Sequence, residues 1–95
     1  MRESTIEQRL VRGVEGRGGL CYKFVSPGNK GVSDRIVITP DGRTEYVELK
    51  STTGRLSPMQ RFQRDELKAR NVTVHVLNSV DRVEEFLRDV MPDGN

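Results

Sequence analysis

Asp34, Glu48 and Lys50 are the residues of this 95-residue chain whose types and spacing point most directly to chemistry. Ile36-Val37-Ile38 and Tyr46-Val47-Glu48-Leu49 flank Pro40-Asp41-Gly42. That is the pattern of a β-hairpin with a three-residue loop and glycine in the left-handed position. Pairing Thr39 with Arg43 and counting outward sets Asp34 directly opposite Glu48. Facing residues have Cβ atoms about 4.5–5.5 Å apart, where like charges repel. Lys50 follows Glu48 by two and so shares its face. A one-residue bulge would shift this register. Two facing carboxylates beside a lysine suit a divalent cation, since Mg²⁺ takes oxygen ligands, often one or two carboxylates plus waters and phosphate oxygens. The ordinary reading is that Asp34 ends an exposed strand and Glu48 pairs with Lys50; charge pattern alone favours it.

Other side chains bear on that choice. Glu7 falls three, four and seven residues before Leu10, Val11 and Val14, along the apolar stripe of a first helix. It either faces inward towards a site or closes a Ser4-Thr5-Ile6-Glu7 capping box. Gln60, third in a helix opened by Ser57-Pro58, is open to the same two readings. Arg61, Arg64 and Lys68 form a basic stripe with Arg55 in the loop before it, interrupted by Asp65 and Glu66. Such a stripe can grip phosphates or simply face solvent. His75 reads as a sheet-face residue and Cys21 as a small buried apolar one. No motif supports a Cys-His hydrolase built from the two.

The elements that position these residues follow from periodicity and punctuation. A helix is predicted from near Ser4 to the Gly16-Arg17-Gly18-Gly19 stop, then a strand over Leu20 to Val25 and a loop over Ser26 to Gly31. After the hairpin, Ser51 to Leu56 is a loop. A helix then runs from an N-cap at Ser57 to about Arg70, with Asn71 as its C-cap. Val72 to Leu77 reads as a strand, and Ser79 caps a last helix with Val80, Val83, Leu87 and Val90 on one stripe. Residues 92–95 are expected to fray. The order α-β-β-β-α-β-α makes a mixed sheet packed against helices, an α/β or α+β domain.

Composition bounds the rest. With 34% apolar and 32% charged residues, the chain has material for one compact core and one domain over residues 1–95. Residues 1–70 carry fourteen basic and nine acidic side chains, residues 71–95 two and five, so a basic body precedes an acidic last helix whose polar side either joins a dimer interface or, as expected here, faces solvent. One cysteine excludes an internal disulfide, and one Cys with one His excludes a zinc site not built largely from carboxylates. No apolar run approaches the roughly 20 residues of a membrane span. Met1-Arg2-Glu3-Ser4 leads into no apolar signal segment, so a cytoplasmic protein without a membrane role is expected.

Asp34, thirteen further residues, then Glu48-Leu49-Lys50 is similar to the signature of the PD-(D/E)XK nuclease superfamily, whose restriction-endonuclease-like α-β-β-β-α-β core agrees with the predicted order. Gly31-Val32-Ser33-Asp34-Arg35-Ile36-Val37-Ile38, Glu48-Leu49-Lys50 and Leu56-Ser57-Pro58-Met59-Gln60 together resemble the VRR-NUC family, above all its small stand-alone phage and bacterial members. The similarity runs from Glu7 to about Phe86. Where the family usually has proline before the aspartate, this chain has Ser33, which bears on rigidity and not on ligands.

The resemblance implies a site residue by residue. Asp34, Glu48 and the Leu49 carbonyl would hold Mg²⁺ or Mn²⁺, with Glu7 completing the acidic cluster directly or through water. Lys50 would orient or help deprotonate the attacking water and stabilise charge on the phosphate, and Gln60 would support Lys50 or the water. Lys23 would contact the scissile strand, beside the candidate phosphate contacts Arg55, Arg61 and Arg64. The function implied is a metal-dependent DNA endonuclease that cuts four-way (Holliday) junctions as a homodimer. The rivals are the same chemistry on flaps, nicked duplex or RNA, and a DNA-binding module of this fold without turnover.

Overall fold

The computed structural model describes residues 1–25, 28 and 34–92. In chain order its elements are α1 (Glu3–Gly16), β1 (Leu20–Lys23), β2 (Arg35–Ile38), β3 (Thr44–Leu49), α2 (Pro58–Lys68), β4 (Val74–Leu77) and α3 (Val80–Val90). This is the order read from the sequence. Apart from Gly28, the loop expected over Ser26 to Gly31 lies outside the described residues, as do Gly31-Val32-Ser33 of the motif and the tail beyond Pro92.

The four strands line up β1-β2-β3-β4. The first two pairings are antiparallel and β3-β4 is parallel. A parallel neighbour needs a crossover, and α2 supplies it. Alternation along β3 divides the sheet into two faces. Val47, Leu49 and, from neighbouring strands, Val37 and Leu77 point to the face covered by α1 and α3. There they form the core with Ile6, Leu10 and Val14 of α1 and Val83, Phe86, Leu87 and Val90 of α3. The other face carries Ile36, Tyr46, Glu48, Val74 and Val76, and α2 packs on its β4 side. No residue of α2 is buried.

Helix ends follow local chemistry. At the end of α1 the Gly19 N–H donates to the Val14 carbonyl and the Gly18 N–H to that of Glu15, both at 3.0 Å. Gly18 sits at φ +85°, so this is a glycine-terminated Schellman turn. Asn71, at φ +65°, does the same after α2, with Val72 N–H on the Leu67 carbonyl and Asn71 N–H on that of Lys68. The helix therefore stops at Lys68 and not near Arg70. At the start of α1 the expectation fails. The helix begins at Glu3 with Arg2 at its N-cap and no side-chain cap. The predicted Ser4–Glu7 capping box does not form, because Arg35 takes the Glu7 carboxylate at 2.9 Å.

Gly19 is placed where a side chain would not fit. A Cβ there would lie 2.8 Å from the Ile38 carbonyl oxygen and 2.9 Å from Val14 Cγ1. The first of these is backbone and cannot rotate away. Gly19→Ala is expected to lower the unfolding free energy by about 1–3 kcal/mol, read as an earlier urea midpoint. An unchanged midpoint would mean that β2 yields easily at this point.

Candidate active site on the open face of the sheet

The hairpin register is the one read from the sequence. Arg35 pairs with Val47, Ile36 with Tyr46, Val37 with Glu45 and Ile38 with Thr44, and the Thr39 N–H donates to the Arg43 carbonyl at 2.8 Å. Gly42, at φ +87°, makes the left-handed turn. No bulge intervenes in these pairs, so one further step sets Asp34 against Glu48. Asp34 stands just before β2, and its Oδ2 accepts the Leu49 backbone N–H at 2.9 Å. In an antiparallel ladder a residue's N–H and C=O point the same way. The Leu49 carbonyl therefore points to the side on which Asp34 sits.

Glu48 is 3% exposed. Burial in the first place, and the facing Asp34 carboxyl in the second, push its pKa up to about 8 from an ordinary 4.5, against the opposing pull of Lys50. A buried acid paired with another acid is costly to ionise. What supports it is Gln60, whose Nε2 donates to Glu48 Oε2 at 3.0 Å. The same side chain closes a capping box at α2: its Oε1 accepts the Ser57 N–H at 2.9 Å and its own N–H donates to Ser57 Oγ at 3.1 Å. The two readings of Gln60, cap or site, are thus both realised, one by each end of the amide. Around Glu48, Leu56, Gln60, Gln63, Arg64, Leu67, Val74 and Val76 enclose a cavity of about 10 Å³, room for about one water.

The three candidate phosphate contacts come together. Arg55, Arg61 and Arg64 line one cleft of about 480 Å³ with Leu56 and Val76, and Arg64 also lines the cavity at Glu48. Two other expected members do not join. Glu7 bonds Arg35, which lies opposite Val47 on the α1 side of the sheet. The acid of α1 whose charge reaches Glu48 is Glu3, in its first turn. Lys23 pairs with Arg35 and by alternation shares that same α1 face. The physical reason is one of parity, since Phe24 and not Lys23 pairs with Asp34, its N–H on the Asp34 carbonyl at 2.8 Å.

A divalent cation fits the donor set that remains. A cation between them would relieve the penalty that burial and the facing Asp34 place on ionised Glu48, and a backbone carbonyl points the same way. Among the described residues no group of three or more His, Cys, Asp or Glu side chains is gathered for a metal. With Glu7 held by Arg35, a site formed here would have two carboxylates and not the expected three-acid cluster. Such a site leaves most positions to water or phosphate oxygen, as Mg²⁺ prefers.

Two residues considered for chemistry are placed elsewhere. Burial raises the Cys21 thiol pKa, which leaves it a poor nucleophile at neutral pH. His75 Nε2 lies 2.8 Å from Glu45 Oε1 and its ring meets Phe86 edge-on at 4.8 Å. The Glu45–His75 pair went unread in the sequence, because it depends on the parallel β3-β4 register.

The Glu48 environment makes stability depend on pH. Folded, the carboxyl titrates near 8; unfolded, near 4.5. Between these values the folded protein holds a proton that the unfolded chain has released. This group's contribution is therefore full below 4.5, falls as pH rises and levels off above about 8, by on the order of a few kcal/mol in all. With EDTA present, Glu48→Gln is expected to gain in Tm relative to the parent as pH goes from 5 to 9. Parallel profiles would show that Glu48 ionises without penalty.

Comparison with known proteins gives one family. Residues 19–81 match the family model described as the VRR-NUC domain, a stretch that includes Asp34, Glu48, Lys50 and Gln60. The chain is 43% identical over 95 residues to a protein of Acyrthosiphon pisum secondary endosymbiont phage 1 named "Putative nuclease p44", covering 100% of this chain and 97% of the other. It is also similar to a solved structure titled "VRR_NUC domain", with a TM-score of 0.83 at 26% identity, covering 90% of this chain and 94% of that one.

Proposed function

Since the chain belongs to the VRR-NUC domain family and is thereby a nuclease domain, we propose that it is a Mg²⁺- or Mn²⁺-dependent DNA endonuclease that cuts four-way junctions as a homodimer. The observation that carries the chemistry is the facing pair Asp34 and Glu48. Glu48 is buried and pushed towards neutrality, Lys50 is charge-coupled to it, and the Gln60 amide is fastened to it.

Asp34 Oδ2 is fixed by the Leu49 N–H, which leaves its other oxygen and the Leu49 carbonyl to hold a cation with Glu48. When bound, a divalent ion supplies charge neutralisation at the phosphate and a more acidic attacking water. Glu48, once ionised, accepts from Gln60, so its carboxylate is held in one orientation. Lys50 brings a positive charge to the place where negative charge develops on the phosphate oxygens. Arg64, beside both Glu48 and the cleft of Arg55 and Arg61, leads the flanking phosphates of the strand away from the cut. No helix among the described residues is long and apolar enough to cross a membrane.

The homodimer and the junction rest on the resemblance to stand-alone family members. A small domain gains buried surface by dimerising, and two symmetric sites suit a pseudo-two-fold branched substrate. The test is gel-resolved cleavage of a labelled four-way junction beside flap, nicked duplex, plain duplex, single-strand and RNA controls, in Mg²⁺, Mn²⁺ or EDTA. Sedimentation of the same preparation gives the oligomeric state. Metal-dependent cutting that prefers the junction supports the reading. Preferred cutting of a control keeps the site and replaces the substrate. DNA binding without cutting under any metal leaves a binding module.

A further inference from the structure

On the far side of the molecule, α1 and α3 leave a cleft of about 510 Å³ between them. Its α1 wall is Thr5, Gln8, Arg9, Arg12, Gly13 and Arg17, spaced three and four apart and so forming one helical stripe. From Thr5 to Arg17 the stripe runs about 18 Å along the helix. Val80 and Glu84 of α3 form the opposite wall. Gly13 lets the helices approach, since a Cβ there would overlap the Leu87 side chain.

The charge in this cleft is positive. Arg9 bonds Glu84 at 2.8 Å, yet its side chain is 54% exposed. Arg17 is fastened by a 3.2 Å bond to the Gly13 carbonyl, and its buried Nε has no hydrogen-bond partner. Arg12 is exposed. First the Arg9 hydrogen bond and then the charges of Arg9, Arg17 and Arg88 hold the Glu84 carboxyl below its ordinary range. Helix-end electrostatics accounts for Arg17, near the α1 C-terminus. It does not account for Arg9 and Arg12 in the middle of the helix.

We propose that this cleft is a second nucleic-acid surface, in which Arg9, Arg12 and Arg17 hold the phosphate backbone of one duplex arm while another arm lies at the Glu48 site on the opposite face. Glu84 is its internal counter-ion, neutralising Arg9 until a phosphate replaces it. A row of guanidinium groups lining a groove is complementary to a linear polyanion and carries no feature that selects a base. The identity of the polyanion rests on the nuclease reading; the cleft and its charge do not.

The test is binding without cutting. Fluorescence anisotropy in EDTA, over a series of salt concentrations, would compare a labelled four-way junction with a single duplex arm. The parent would be set against Arg12→Gln, Arg9→Gln/Arg12→Gln and Glu84→Gln. Each arginine removed is expected to reduce the salt slope by about 1 and to weaken junction binding roughly five- to tenfold near 0.15 M salt. Glu84→Gln is expected to tighten it. Unaltered junction affinity and slope in the double variant, while Arg61→Gln/Arg64→Gln lowers both, would overturn the proposal. Because Arg12 takes no part in the Arg9–Glu84 pair, its variant separates lost binding from lost folding. If no metal supports cutting but the slope still falls with Arg12, the second surface stands and the nuclease reading fails.

Discussion

Asp34→Asn is expected to lower metal-dependent cleavage by roughly 10³-fold while raising the Tm of the metal-free protein above pH 7. The two effects have one cause. Asp34 faces Glu48 and helps push its carboxyl up to about 8, so the charge that a cation needs is a charge the bare fold resists. Asparagine keeps an oxygen for the Leu49 N–H but removes the repulsion, and Glu48 returns towards its ordinary range. The same variant is expected to lose the Tm gain that Mg²⁺ gives the parent. A fall in Tm at high pH would mean that Asp34 serves the hairpin and not a cation.

Lys50→Met separates positioning of the phosphate charge from cation binding. Its backbone N–H, which donates to the Leu77 carbonyl at 3.1 Å, survives the substitution, so strands β3 and β4 stay joined. Cleavage is expected to fall by roughly 10²–10⁴-fold, while the Mg²⁺-dependent Tm gain persists, since both carboxylates remain. Single-turnover rates with saturating junction DNA, beside thermal melts with and without Mg²⁺, read both quantities. Loss of the Mg²⁺ effect together with cleavage would assign Lys50 to the integrity of the acidic pair and leave it no separate part in turnover.

The central pair was legible because the loop type fixed it. Pro40-Asp41-Gly42 admits few hairpin geometries, and once Thr39 met Arg43 the facing of Asp34 and Glu48 followed by counting. Gln60 was half legible: its position in the helix offered a cap or a site as alternatives, but that one amide serves both needed the height of β3 beside α2. Glu7 and Lys23 were not legible from spacing. Each is placed by Arg35, a residue distant in sequence from Glu7, whose guanidinium wins a carboxylate that local rules assign to a cap. The α1–α3 cleft was hidden for a similar reason. The arginines of α1 look like scattered surface charge until α3 supplies a wall, and neither the apolar stripe nor the acids of α3 showed which part of α1 it would face.

Helix α2 has no buried residue, whereas α1 and α3 each press several side chains into the core. Few buried apolar contacts mean a low free energy for local opening. Backbone amide hydrogen exchange across α2 is therefore expected to outrun that of α1 and α3, so Gln60, Arg61 and Arg64 are carried by the most readily detached of the three helices. A ligand that bridges Glu48 and α2 would slow this exchange by its own binding free energy, so protection of the amides from Phe62 to Leu67 becomes a readout of occupancy that requires no turnover.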